Sequence, residues 1–186
     1  MTQPQAVYRK DYTPSPYAIE TVALSFDLRE GHTDLRATLA MRRQGEAGAP
    51  LVLAGEALDL RSVSIDGTAL GAEAYSLGKG TLTIPSVPES FTLETVVRLD
   101  PAANTALSGL YQSSGNYSTQ CEAMGFRRIT YFLDRPDVMA RYTTRIEADK
   151  ERYPVLLSNG NRTAAGDLEG GRHWVSWEDP FLKPSY

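Results

Sequence analysis

The sequence predicts a mainly β domain, an antiparallel saddle-like β-sandwich or open sheet with one or two short helices. Three observations predict it. Apolar residues alternate with polar ones at a period of two in several stretches, as side chains do on a half-buried strand. Glycine, proline and Asp-Gly turn signals separate those stretches at short intervals. The 186 residues are 41% hydrophobic, enough to bury a substantial core.

Residues 1–16 are polar and carry prolines, which predicts an extended arm or a frayed terminus ahead of a single β domain spanning 17–186. From Ile19 to Leu28, Val22, Leu24, Phe26 and Leu28 share one face while Thr21, Ser25 and Asp27 take the other. The next strand repeats the pattern, with Leu35, Ala37, Leu39 and Met41 inward and Asp34, Arg36, Thr38 and Arg42 outward. Residues 29–33 read as the hairpin loop between them. Further strands are expected at 51–53, 58–65, 81–84 and 91–99, and Asp66-Gly67 is a strong hairpin signal.

The segment 107–120, LSGLYQSSGNYSTQ, is small, polar and glycine-bearing and reads as a loop. Strand character is expected to resume over 128–133. Asp134 then reads as the cap of a short helix with Pro136 in its first turn, running through Val138, Met139 and Ala140. Strands are expected again over 142–149, 153–157 and 173–177, where Trp174 and Trp177 fall on opposite faces.

Composition narrows the function. The net charge is −4 and the 19 Lys and Arg residues are scattered, so the electrostatic footprint of a nucleic-acid binder is missing. No apolar run approaches the roughly 20 residues of a membrane span, and no basic start leads into an apolar targeting segment; a cytoplasmic location is the expectation. Neither His32 nor His173 falls in a metal-ligand motif, so no zinc site is legible within the chain. The lone Cys121 reads as a buried or half-buried apolar residue rather than a catalytic thiol.

The densest chemistry lies in TQCEAMGFRRITYFLDRPDVMARY, residues 119–142. If the segment at Gln120 continues as a strand, Gln120 and Glu122 project the same way. An amide beside a carboxylate suits a cationic amine, supplying charge and directional acceptors. The competing reading is a surface ion pair between Glu122 and Arg127 or Arg128, and on physical grounds alone that reading is favoured; one of the two arginines is expected to pair with Asp134 or Glu122 and so hold the loop.

The spacing Gln120-x-Glu122, then Arg127, then Asp134-x-Pro136, resembles the motif set in the N-terminal domain of the M1 family of zinc aminopeptidases. The wording around FRRITYFLDRPDVMARYTTRIEADK and YPVLLSNGN is similar to that of its bacterial members. The likeness runs from YRKDY to WEDPFLKPSY and is most specific over 101–186. The resemblance implies a saddle-shaped β domain whose Q-x-E loop reaches into the active site of a thermolysin-like catalytic domain further along the polypeptide. It implies that Glu122 holds the α-amine of peptide substrates and that Gln120 lines the pocket for the first side chain. Zinc would belong to the full-length enzyme, with no metal ligand and no catalytic residue in this segment, which would be inactive alone. The metal-ligand and substrate motifs of the family's catalytic domain do not occur here, so the chain is expected to be an excised domain. The alternative is a free-standing β-sandwich binding module for carbohydrate or protein.

Overall fold

The computed structural model describes residues 8–186. Strands hold 54% of the residues and helix 3%, so the mainly β expectation holds. The central pair is β1 (Tyr17–Arg29) and β2 (His32–Arg43), an antiparallel hairpin turned at Glu30-Gly31. The predicted inward residues of both strands are buried. A register shift between Ile19 and Thr21 puts two exposed residues, Glu20 and Thr21, side by side, and so keeps both Ile19 and Val22 facing the core.

Then come β3 (Leu51–Ala54), β4 (Asp59–Ile65), β5 (Thr68–Ala69), β6 (Ser76–Gly78), β7 (Thr81–Ile84) and β8 (Ser90–Leu99). Asp66-Gly67 closes β4 onto β5, with φ of 50° and 77°. In β8, Phe91, Leu93, Thr95, Val97 and Leu99 are all buried, as the alternation predicts. The remaining strands are β9 (Gly109–Ser113), β10 (Asn116–Gln120), β11 (Ala140–Asp149), β12 (Asn161–Leu168) and β13 (Arg172–Lys183).

An eight-stranded sheet runs β12-β13-β11-β1-β2-β8-β4-β5, and a three-stranded sheet runs β3-β7-β6. Leu51, Leu53, Leu82 and Ile84 of the small sheet join Leu35, Leu39 and Leu93 of the large one in a single buried cluster. One pair departs from the antiparallel expectation: β1 and β11 are parallel. The long chain path from β1 to β11 allows the crossover that such a pair requires.

Several local expectations are corrected. Residues 107–120 are not a loop; β9 and β10 form a hairpin around Ser114-Gly115, whose φ values of 50° and 82° suit the tight two-residue turn. The strand expected over 128–133 is absent. Phe126–Arg128 make a 3-10 turn, and only a single bridge, Ala54 to Phe132, links the segment to β3. Its apolar residues Ile129, Tyr131, Phe132 and Leu133 are buried, so the apolar run reports burial without a ladder.

No helix follows Asp134. Pro136-Asp137 is a turn and Ala140 already opens β11, because the Asp134 carboxylate is taken by Arg127 rather than by helix N–H groups. Helical structure among the described residues is confined to the 3-10 turns Arg9–Asp11 and Phe126–Arg128. Residues 153–157 are irregular, and β12, which carried no alternation, is an edge strand exposed over most of both faces. Trp174 and Trp177 do lie on the same strand three residues apart; the Arg145 guanidinium sits 3.8 Å over the Trp174 ring.

Residues 1–7 of the predicted arm lie outside the described residues. Beyond them, Tyr12 Oη donates to Asp137 Oδ2 at 3.0 Å, Arg135 Nη2 donates to the Thr13 carbonyl at 2.7 Å, and Ser15 is buried.

Candidate functional site

The hairpin β9–β10 delivers the chain to Gln120, where the strand ends. Gln120 and Glu122 therefore do not share a continued strand: Cys121 leaves the ladder and residues 122–125 turn, with Gly125 N donating to the Cys121 carbonyl at 2.8 Å. The turn is tight. A Cβ on Gly125 would sit 2.7 Å from Ser108 Oγ, 2.8 Å from the Gln120 carbonyl oxygen and 2.9 Å from Cys121 Cα, so only glycine lets the two chain segments approach this closely. Phe126 then anchors the turn in the core, its ring 4.7 Å from that of Phe132 in an edge-to-face contact.

Both arginines that were candidate partners for Glu122 are engaged elsewhere. Arg127 Nε donates to Asp134 Oδ2 at 2.8 Å, and its Nη2 donates to the Asp134 carbonyl at 3.2 Å. Arg128 pairs with Glu56, whose backbone N also donates to the Arg127 carbonyl at 2.8 Å. Glu122 is exposed, and among the described residues it has neither a hydrogen-bond nor an ion-pair partner. The surface ion pair favoured on physical grounds alone is thus not formed, and the acid is free to meet an external cation.

Gln120 and Cys121 line a groove of about 360 Å³, floored by Leu24 and Phe26 of β1 and Tyr142 of β11 and flanked by Tyr186. The Tyr142 hydroxyl is buried without a partner. Burial, and then the charge of Asp134, push its phenol pKa up. The same two causes, burial first, push the Cys121 thiol up to about 11, which favours the protonated, slowly reacting form at neutral pH.

The described residues offer no side-chain set that fits a zinc ion. Among the described residues no group of three or more His, Cys, Asp or Glu side chains converges. His173 is buried and its Nε2–H donates to the Tyr153 carbonyl at 2.8 Å, while His32 lies 3.7 Å from Asp34 at the start of β2. The expected pairing of one arginine with Asp134 is formed, and it is Arg127 that makes it; the pairing of Arg128 with Glu56 was not foreseen. The seven-residue separation of Arg127 and Asp134 was legible, but the irregular path that brings the two together was not.

The turn that carries the exposed Glu122 follows directly on Gln120 and Cys121, which line the groove. Residues 26–186 match the model of the Peptidase M1 N-terminal domain, and the chain belongs to that family. It is 55% identical to an aminopeptidase N of Caulobacter vibrioides over 98% of its length, and 54% identical to the aminopeptidase N of Escherichia coli over 99%. The chain spans about a fifth (21%) of the length of each of these relatives. A crystal structure of Legionella pneumophila aminopeptidase A in complex with aspartic acid superposes with a TM-score of 0.89 at 36% identity, over 95% of this chain and 21% of that one. The fold is also that of an M1 zinc metallopeptidase from Deinococcus radiodurans, with a TM-score of 0.76 at 15% identity, over 91% of this chain and 40% of that one. No helix of the described residues is long and apolar enough to cross a membrane.

Proposed function

We propose that residues 17–186 form a single β domain at the amino-terminal side of a longer, cytoplasmic zinc aminopeptidase, and that its Gln120-x-Glu122 loop holds the α-amine of peptide substrates. The observation that carries the reading is the exposed, unpaired Glu122, followed in the chain by two arginines that are both paired with other carboxylates. An enzyme that removes one residue at a time must measure from a free ammonium to the first peptide carbonyl. A carboxylate on a fixed turn supplies the origin of that measurement, and Gln120 beside it lines the pocket for the first side chain. Zinc and hydrolysis would belong to a thermolysin-like catalytic domain outside these residues, so the chain by itself is inactive.

A charge-assisted bond to an ammonium in a water-excluded cleft is worth about 1.5–3 kcal/mol. Replacing Glu122 by Gln in the longer aminopeptidase therefore lowers kcat/KM by roughly tenfold to 150-fold. Steady-state hydrolysis of an aminoacyl anilide measures this, and unchanged kcat/KM in a folded variant refutes the role.

A further inference from the structure

Among the described residues no side-chain hydrogen bond or ion pair holds the tip of the loop from outside the turn: Glu122 is unpartnered and Met124 is 57% exposed. Its position must come from its two ends. One end is β10, which pairs only with β9 in an isolated two-stranded ladder, and such a hairpin is marginal on its own. The other end is Arg127. There the Asp134 carboxylate, with its side chain only 1% exposed, accepts from Arg127 N at 3.1 Å and Arg127 Nε at 2.8 Å through Oδ2. Its Oδ1 accepts from Ser185 Oγ at 3.2 Å. Both oxygens are thus committed, and a single buried acid ties the end of the Glu122 turn to the segment that follows β13.

We propose that Asp134 is the positioning residue for Glu122, holding the turn through Arg127 so that the acid meets the substrate amine at a fixed place. The proposal rests on Glu122 as the amine anchor. Asp134 itself touches no substrate; it fixes where the anchoring charge stands.

Cys121, the only cysteine, lies between Gln120 and the turn and reports loosening directly. Two variants separate causes. Asp134→Asn removes the charge, and Arg127→Lys keeps both charges but loses the planar fork that grips Asp134. In this chain at pH 8, both are expected to speed maleimide labelling of Cys121 at least tenfold while the urea transition remains cooperative; Glu122→Gln leaves the labelling rate within twofold. In the longer aminopeptidase, both raise KM for a peptide about tenfold with kcat within threefold. Arg127→Lys decides the matter if Asp134→Asn does not fold, and its rise in labelling is not a charge effect on the thiol. Labelling or KM within twofold of the parent in Arg127→Lys overturns the proposal, as does a loss confined to kcat. If labelling rises but Glu122→Gln leaves kcat/KM unchanged, the clamp stands and the amine anchor fails; if Glu122→Gln lowers kcat/KM and Arg127→Lys leaves KM unchanged, the clamp fails alone.

Discussion

Gly125→Ala is the most informative single change to the scaffold. The backbone there, at φ −91° and ψ −10°, is open to any residue, so a conformational argument alone has alanine stabilising the protein by about 0.4–1 kcal/mol through the unfolded chain. Packing argues the opposite. The new Cβ would lie 2.7 Å from Ser108 Oγ, 2.8 Å from the Gln120 carbonyl oxygen and 2.9 Å from Cys121 Cα. The first neighbour is a small side chain that can turn away; the other two are backbone and must be pushed back by several tenths of an ångström. Overpacking of this kind costs about 1–3 kcal/mol. The net is a destabilisation on the order of 1 kcal/mol, which for a domain of this size lowers the melting midpoint by about 2–4 °C. Urea unfolding followed by circular dichroism measures it, with an unchanged m-value expected. Adding Ser108→Ala should recover less than half of the loss. A Gly125→Ala protein as stable as its parent would refute the claim that the turn is braced by backbone contact.

Two further outcomes follow from the charge pattern. Arg98 Nε and Nη2 bind both oxygens of Asp34 at 2.7 and 2.8 Å across the β2–β8 ladder; their hydrogen bonds hold the Asp34 carboxyl below the usual carboxylate range. A group so depressed gives stability that is present above its unfolded pKa of about 3.9 and is lost as pH falls through the lower folded value; a double-mutant cycle on Asp34→Asn and Arg98→Met should give a coupling of about 0.2–1 kcal/mol at pH 7 that disappears in strong acid, and a coupling unchanged there sinks the assignment. For Cys121 the sign is reversed: with its pKa pushed up to about 11, thiol labelling in the folded chain should keep climbing with pH beyond 9, and stability should fall between the ordinary thiol range and pH 11; labelling that plateaus near pH 8.5 would mean that the thiol is not buried.

The strands that form the middle of the large sheet were legible because each buries one face and leaves the other to solvent, which stamps a period of two onto β1, β2 and β8. β12 escaped notice because an edge strand exposed on both faces carries no such stamp. The β9–β10 hairpin was hidden by its small polar residues, although Ser-Gly is a serviceable turn pair. Residues 128–140 misled in the other direction. Their apolar content reflects burial of Phe132 and Ile129 in an irregular segment, and the helix signal at Asp134-x-Pro136 failed because that acid is spent on Arg127. At the site, the residue types and the pairing of one arginine with Asp134 were readable, but the partner of Arg128 was not. Which of two arginines a neighbouring acid meets depends on the path of a turn, and here both found other carboxylates.

The central claim is that Glu122 receives the substrate's ammonium group. A crystal structure of the longer aminopeptidase with a bound dipeptide or amino acid measures this most directly. The account predicts the α-amine nitrogen within about 3 Å of a Glu122 carboxylate oxygen, with Gln120 against the first side chain. An amine held by other groups, with the Glu122 carboxylate more than about 5 Å away and facing solvent, would contradict it.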